Sequence, residues 1–449
     1  MNETVPEEGV ESPELKRQLA SHILQRLGEG GQPPEYGVKR INVGNESYLR
    51  VLEHEYFRNQ LRIGASFKLV QGYFGGGKTH FLFCVREMAW EHGFVTAVVE
   101  LSPSECPYDD AFKVYRAVAR RVAIRPSGAF SAPSYGIADL IRNIVDDRLA
   151  HAEEAFRGKD VTDATTEAIK AVSSWLTKTV SRAPCESHSF RQGMTGLAMA
   201  YLHADRQTEV ALEAWLLGEP VPQAEVRASG VFEQLGKANG FTMLRCLTQM
   251  VIAFGLPGTA LLFDEVDRNL SVSTKRSHII GDNLRQVIDL CGRHQLPNTL
   301  FLYAVPPEFM RNVVPDYPAL YQRLKSPVPL SVRSPQSVLI DLEHLDLGPE
   351  AMLEQLGMKI LEVFEEARAC TFDRALQASN AKVFAIASAQ TYFEVNHRRL
   401  FVKAWVDALF AQLVDGERPI DPKEATALIT TGHGALTREK EAGDDFEDF

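Results

Sequence analysis

The chain has 449 residues and a mass of 50.0 kDa, enough for a sizeable core and, by length, for two or three domains. Its 45% hydrophobic and 24% charged residues are those of a soluble globular protein, and a formal net charge of -11 argues against binding nucleic acid by bulk electrostatics. No stretch approaches the about 18 to 20 uninterrupted apolar residues of a membrane span, and "MNETVPEEGVESPELKRQ" is acidic and polar, unlike a signal peptide, so a cytoplasmic protein with no membrane partner is expected.

Residues 1–35 read as a polar tail and one short helix, with Leu15, Leu19, Ile23 and Leu27 at helical spacing before the breaker "GEGGQPPEYG". Residues 36–125 open an α/β core. In "INVGNESYLRVLEHEYFRNQLRIG", Asn45 is placed to cap a helix carrying Tyr48, Leu49, Leu52 and Phe57 on one face. The runs "FKLVQGY" and "FVTAVVELS" predict strands, with a helix from about Lys78 to Glu91 between them, the βαβ order of a parallel sheet.

Over 126–240 the pattern is helical with polar breaks, as in "YGIADLIRNIVDDRLAHAEEAF" and "TEAIKAVSSWLTKTV", and predicts an insertion into the α/β domain. Strands resume in 241–335 at "TALLFDEV" and "TLFLYAV". Residues 336–430 are again helical, including "RRLFVKAWVDALFAQLV". The acidic segment 431–449 lacks a core pattern and is expected to be disordered, although "DDFEDF" also has a form suited to docking an aromatic side chain on a basic-rimmed partner. The cysteines Cys84, Cys106, Cys185, Cys246, Cys291 and Cys370 form no CxxC pair and read as reduced thiols.

Gly72 to Thr79 reads G-Y-F-G-G-G-K-T and matches the phosphate-binding pattern G-x-x-x-x-G-K-[ST] between a strand and a helix. Glycines permit the backbone conformations that turn successive N–H groups inward, which makes an anion cradle at a helix N-terminus. The nucleotide-binding residues expected here are Gly72, Phe74, Gly75, Gly76, Gly77, Lys78, Thr79 and His80. Lys78 would reach the β and γ phosphates of ATP, and the Thr79 hydroxyl would ligate Mg²⁺.

Hydrolysis needs a carboxylate at the end of a neighbouring buried strand and a second acid to polarise water. In "TALLFDEVD", Asp264 is placed as the Mg²⁺ carboxylate and Glu265 as the base. A positive group against the γ-phosphate would stabilise the charge that builds up there, and two arginines are candidates. Arg323 lies in "YPALYQRLKSP" and Arg398 in "VNHRRLFVKAW"; each is equally readable as a surface arginine.

Together, the phosphate loop with "EHGFVTAVVELSPSECPYDDAFKVYRAVARRV", "AWLLGEP", "LFDEVD" and "YPALYQRL" resemble the ATP-binding proteins of bacteriophage-exclusion (BREX) defence systems, within the AAA+ class and akin to the origin-recognition and STAND ATPases. The resemblance spans about residues 35–410 and implies a parallel-sheet P-loop AAA+ domain with a helical insertion and a C-terminal helical lid. It implies that Val43 and Gly44 lie near the adenine, that Asn45 stands where an arginine is usual, and that Arg323 and Arg398 match the arginine-finger and sensor-2 positions. It further implies a homo-oligomer acting with other defence proteins, with DNA contacted through partners. Two departures stand out: "TLFLYAVPPEF" ends in Ala304, Val305 and Pro306 where a polar sensor is usual, and no winged-helix DNA-binding domain is expected.

Two functions follow. One is a Mg²⁺-dependent ATPase coupling hydrolysis to assembly or remodelling. The other is a nucleotide-gated interaction module with negligible hydrolysis.

Overall fold

The structure is a computed structural model that describes residues 12–102, 106, 108–126, 133–157, 163–264, 274–292, 296–324, 328–391 and 397–431. Glu265 and the start of the polar run after it, most of the N-terminal tail and nearly all of the acidic C-terminal segment lie outside the described residues.

In chain order, α1 (Pro13–Gly28) and α2 (Glu46–Val51) precede β1 (Ser66–Gln71), and α3 (Lys78–Glu91) connects it to β2 (Val95–Glu100). A helical stretch follows: α4 (Ala111–Arg121), α5 (Ile137–Phe156), α6 (Ala164–Lys178), α7 (His188–Leu202), α8 (Arg206–Leu216), α9 (Gln223–Arg227) and α10 (Gly240–Ala253). The chain then returns through β3 (Thr259–Asp264), α11 (Thr274–Gly292), β4 (Thr299–Val305), α12 (Pro318–Leu324) and β5 (Leu339–Asp341). It finishes in α13 (Pro349–Arg368), α14 (Arg374–Thr391), α15 (His397–Asp415) and a helix over 422–431.

These elements form two compact units. The sheet unit comprises 48–71 and 85–340, and the second unit comprises the described residues within 1–47, 72–84 and 341–449.

In the sheet unit five parallel strands run in the order β2-β3-β4-β1-β5. β3 and β4 are buried along their whole length, which is why both read as unbroken apolar runs rather than as alternating ones. Register pairs Phe263 with Tyr303 and Tyr303 with Leu69, and the rings of Phe67, Tyr303 and Phe263 stack across three strands at centroid separations of 5.1 and 4.6 Å. The edge strand β5 was not evident in the sequence: three residues are too few to show a period of two.

One residue breaks the apolar rule. Lys68, in the middle of β1, is buried, and its Nζ donates to the hydroxyl of Tyr56 at 2.5 Å and the carbonyl of Ser337 at 2.6 Å while lying 4.3 Å from the Tyr56 ring centroid. Burial pushes its pKa down to about 7. The helix predicted after Asn45 widens into a π-turn over Leu52–Phe57, the segment that carries Tyr56.

In the second unit α1 packs on α13 and α15, and α13 on α14. Ile23, Leu27, Phe364, Phe384, Phe401 and Trp405 belong to this core. Gly357 lets the helices approach closely at its centre: a Cβ there would stand 3.1 Å from both Ala381 Cβ and the Phe401 ring, so these neighbours would have to shift to admit one. The carbonyl of Gly357 accepts the Trp405 indole N–H at 2.9 Å.

Asn45 corrects an expectation. It immediately precedes α2 but does not cap it: the side chain is buried and its Oδ1 accepts no hydrogen bond from the described residues. The longer carboxylate of Glu46 turns back to take the N–H of Gly44 at 2.7 Å.

Candidate nucleotide site

The glycine loop belongs to the second unit, and its three consecutive glycines answer to separate demands. Gly75 and Gly77 have φ of +75° and +89°, in the left-handed region where a side chain is strained. Gly76 has ordinary φ but no room, since a Cβ would lie 2.9 Å from both the Tyr73 carbonyl oxygen and Glu343 Oε1. A Cβ at Gly72 would be tight rather than clashing, 3.3 Å from Glu343 Oε1. The helix begins immediately at Lys78, so its first N–H groups have no intrahelical acceptor and face the loop side.

Lys78 is buried and its Nζ donates to the carbonyls of Gly72 at 2.9 Å and Tyr73 at 3.1 Å. Thr79 follows as the second helical residue, and Phe74 is exposed at the loop. His80 is held by Asn42, with Nε2 and Oδ1 3.1 Å apart. Burial, reinforced by the charges of Arg398 and Lys359, pushes the His80 pKa down to about 4, so the imidazole is neutral at pH 7 and brings no positive charge to the loop.

Arg398, near the start of α15, reaches the same loop. Its Nη1 donates to the carbonyl of Gly76, and its Nη2 donates to that of Leu342 at 2.8 Å. Its Nε is buried with no partner among the described residues, and burial pushes the guanidinium pKa below its usual value while the nearby Glu343 carboxylate opposes that shift. Its described hydrogen-bond partners are therefore carbonyls alone, and a desolvated cation in that position favours an anionic ligand.

Two residues that the sequence did not point to complete the arrangement. Glu343, just after β5, accepts the N–H of Tyr73 at 2.7 Å, and Lys359 on α13 donates to the carbonyl of Asn42. Neither stands in a recognisable motif, since each is defined by a partner hundreds of residues away. Val43 packs against the helical core, and Gly44, with φ of +90°, adjoins Leu345 and Met352. The loop residues Gly72 to His80, Val43, Gly44 and Arg398 thus belong to one unit.

Asp264 and Arg323 belong to the sheet unit. Asp264 is buried at the end of β3, paired in register with Glu100, and its carbonyl accepts the N–H of Leu101 at 3.0 Å. By register it lies level with Ala304 and Val70, two strands from β1, a span of about 10 Å at ordinary strand spacing. The C-terminal ends of β1 and β3 consequently lie at the same end of the sheet. Arg323, on α12, is engaged by Asp289 of α11, with Nε to Oδ1 at 2.5 Å and Nη2 to Oδ2 at 3.0 Å. Glu265 lies outside the described residues.

Among the described residues no helix is long and apolar enough to cross a membrane, and no cluster of His, Cys, Asp or Glu forms a metal site by itself. Residues 15–428 match the family described as BREX system ATP-binding protein BrxC/D. No curated protein and no solved structure matches the chain. A match over nearly the whole length, on a parallel-sheet α/β fold that presents a glycine loop, places the protein: it belongs to the BREX system ATP-binding protein BrxC/D family and is an ATP-binding component of that defence.

Proposed function

We propose that the protein is a Mg²⁺-dependent ATPase whose nucleotide state governs homo-oligomer assembly or the remodelling of DNA-associated partners in BREX defence. The observation that carries this reading is the meeting of Lys78 and Arg398 on the carbonyls of one glycine loop, two cations beside the orphan N–H groups of a helix start. Phosphate oxygens compensate both at once. In this reading Lys78 neutralises the β and γ phosphates, Arg398 answers the γ-phosphate, Thr79 and Asp264 are the metal-binding residues, and Glu265 is the base. Bound Mg²⁺ would supply charge neutralisation to the phosphates. Val43 and Gly44 flank the adenine, and DNA is reached through other defence proteins.

A second reading, a nucleotide-gated interaction module, is favoured by β4. That strand ends on buried Ala304 and Val305, with no polar side chain there to orient a water molecule. Arg323, held by Asp289, fits either reading: it is a finger that an assembling neighbour must free, or a structural arginine.

The test is ATP turnover by the wild type and Glu265→Gln across protein concentrations, with mass by light scattering with and without ATP. Specific activity rising with concentration, lost in Glu265→Gln with ATP binding kept, is expected. Tight ATP binding with no turnover at any concentration would leave the switch.

A further inference from the structure

Two thiols meet in the helical part of the sheet unit. Cys185, half-buried, lies between α6 and α7, and Cys246, fully buried, lies on α10. The N–H of Ser187, two residues after Cys185, donates to Cys246 Sγ at 3.3 Å, which sets the two thiols side by side.

The surrounding contacts fix this meeting on both sides. Ser187 caps α7, its Oγ accepting the N–H of Phe190 at 3.0 Å and donating to Glu233 at 2.8 Å. Glu186 is gripped bidentately by Arg245, the residue preceding Cys246, at 2.8 and 2.7 Å, and its N–H donates to Gln249 of the same helix at 2.9 Å. The 185–187 segment is thereby tied to α10 by groups other than the sulfurs.

We propose that Cys185 and Cys246 are a reversible redox pair that closes to an intramolecular disulfide on reaction with a hydroperoxide. Cys185 is the attacking member because it is the accessible one. Its thiolate attacks the distal peroxide oxygen, the O–O bond breaks, and the departing alkoxide or hydroxide takes a proton, leaving a sulfenic acid on Cys185. Cys246 then attacks Cys185 Sγ; the S–O bond breaks and the released hydroxide combines with the Cys246 proton as water. In sum, two thiols and one peroxide give one disulfide, one water and one alcohol, or two waters from hydrogen peroxide.

The local electrostatics agree with that order. The neighbouring Cys246 thiol, then the Ser187 N–H and the Arg191 charge, hold the Cys185 thiol below its usual pKa despite burial, and the Cys185 thiol together with burial pushes Cys246 up. Closure would tie the start of α7 covalently to α10, the helix that runs directly into β3 and Asp264.

The test is hydrogen peroxide titration of the full chain, read by intact mass and by peptide mapping of the thiols. Wild type is expected to lose two hydrogens, to lose labelling at Cys185 and Cys246 together, and to recover both with a dithiol reductant. Cys246→Ser is expected to stop at a Cys185 sulfenic acid trapped by dimedone, and Cys185→Ser to leave Cys246 unoxidised. Wild type that accumulates sulfinic acid on Cys185 while Cys246 stays fully labelled would overturn the proposal, as would labelling of both thiols that survives peroxide unchanged. Circular dichroism of each variant separates these results from misfolding.

Discussion

The guanidinium of Arg398 donates to the carbonyl of Gly76, in the middle of the glycine loop, across 322 residues of sequence. That bond places a cation at the loop through a carbonyl acceptor, leaving its charge uncompensated by any hydrogen-bonded carboxylate among the described residues.

Arg398→Ala is expected to weaken ATP binding about 10- to 100-fold, the range of one charge-assisted hydrogen bond. Arg398→Lys should recover little of it, because an ammonium cannot span the Gly76 and Leu342 carbonyls as the planar fork does. Lys78→Ala should reduce binding further, below detection at micromolar nucleotide. Titration of a fluorescent ATP analogue measures all three, and an Arg398→Ala protein with unchanged affinity would detach this arginine from the nucleotide.

Gly76→Ala is expected to damage the loop rather than the fold. Its Cβ would stand 2.9 Å from the Tyr73 carbonyl, which cannot swing away as a side chain does. Removing the other clash with Glu343→Ala should therefore not restore ATP affinity in the double variant. Full rescue would show that the Glu343 carboxylate alone sets the loop's shape.

Lys68 gives a pH dependence of stability. Its folded-state pKa is lowered to about 7, whereas an unfolded lysine titrates near about 10.4. Between those values the unfolded chain holds more protons than the folded one, so this residue's contribution to stability rises as pH goes from about 7 to about 10. The gain is on the order of 3 kcal/mol across that window. Below pH 7 both states are protonated and the penalty is at its full value. Urea unfolding of wild type and Lys68→Met at several pH values reads the difference: the substitution should flatten the rise, and parallel curves would contradict it.

Asp289→Asn tests the arginine finger. If Arg323 serves a neighbouring subunit, weakening its ion pair with Asp289 should lower the protein concentration at which turnover appears, while Arg323→Ala should abolish turnover with ATP affinity intact. Equal turnover in wild type and Arg323→Ala would return this residue to a structural role.

Local features are legible along the chain. Lys78–Glu91 was readable to the residue and the four longer strands nearly so, because glycine chemistry, helical spacing and unbroken apolar runs are written in neighbouring positions. The glycine spacing of the loop is a signal of the same kind. Tertiary structure alone decided which carbonyls Arg398 binds, that Glu343 holds the N–H of Tyr73, that Lys68 finds Tyr56 and Ser337 inside an apolar sheet, and that Cys185 meets Cys246. It also left Asn45 uncapping and gave the N–H of Gly44 to Glu46. Apart from that last local exchange, these are contacts between distant segments, and a side chain's partner across such a distance is set by how whole elements pack, which no periodicity within a short window records.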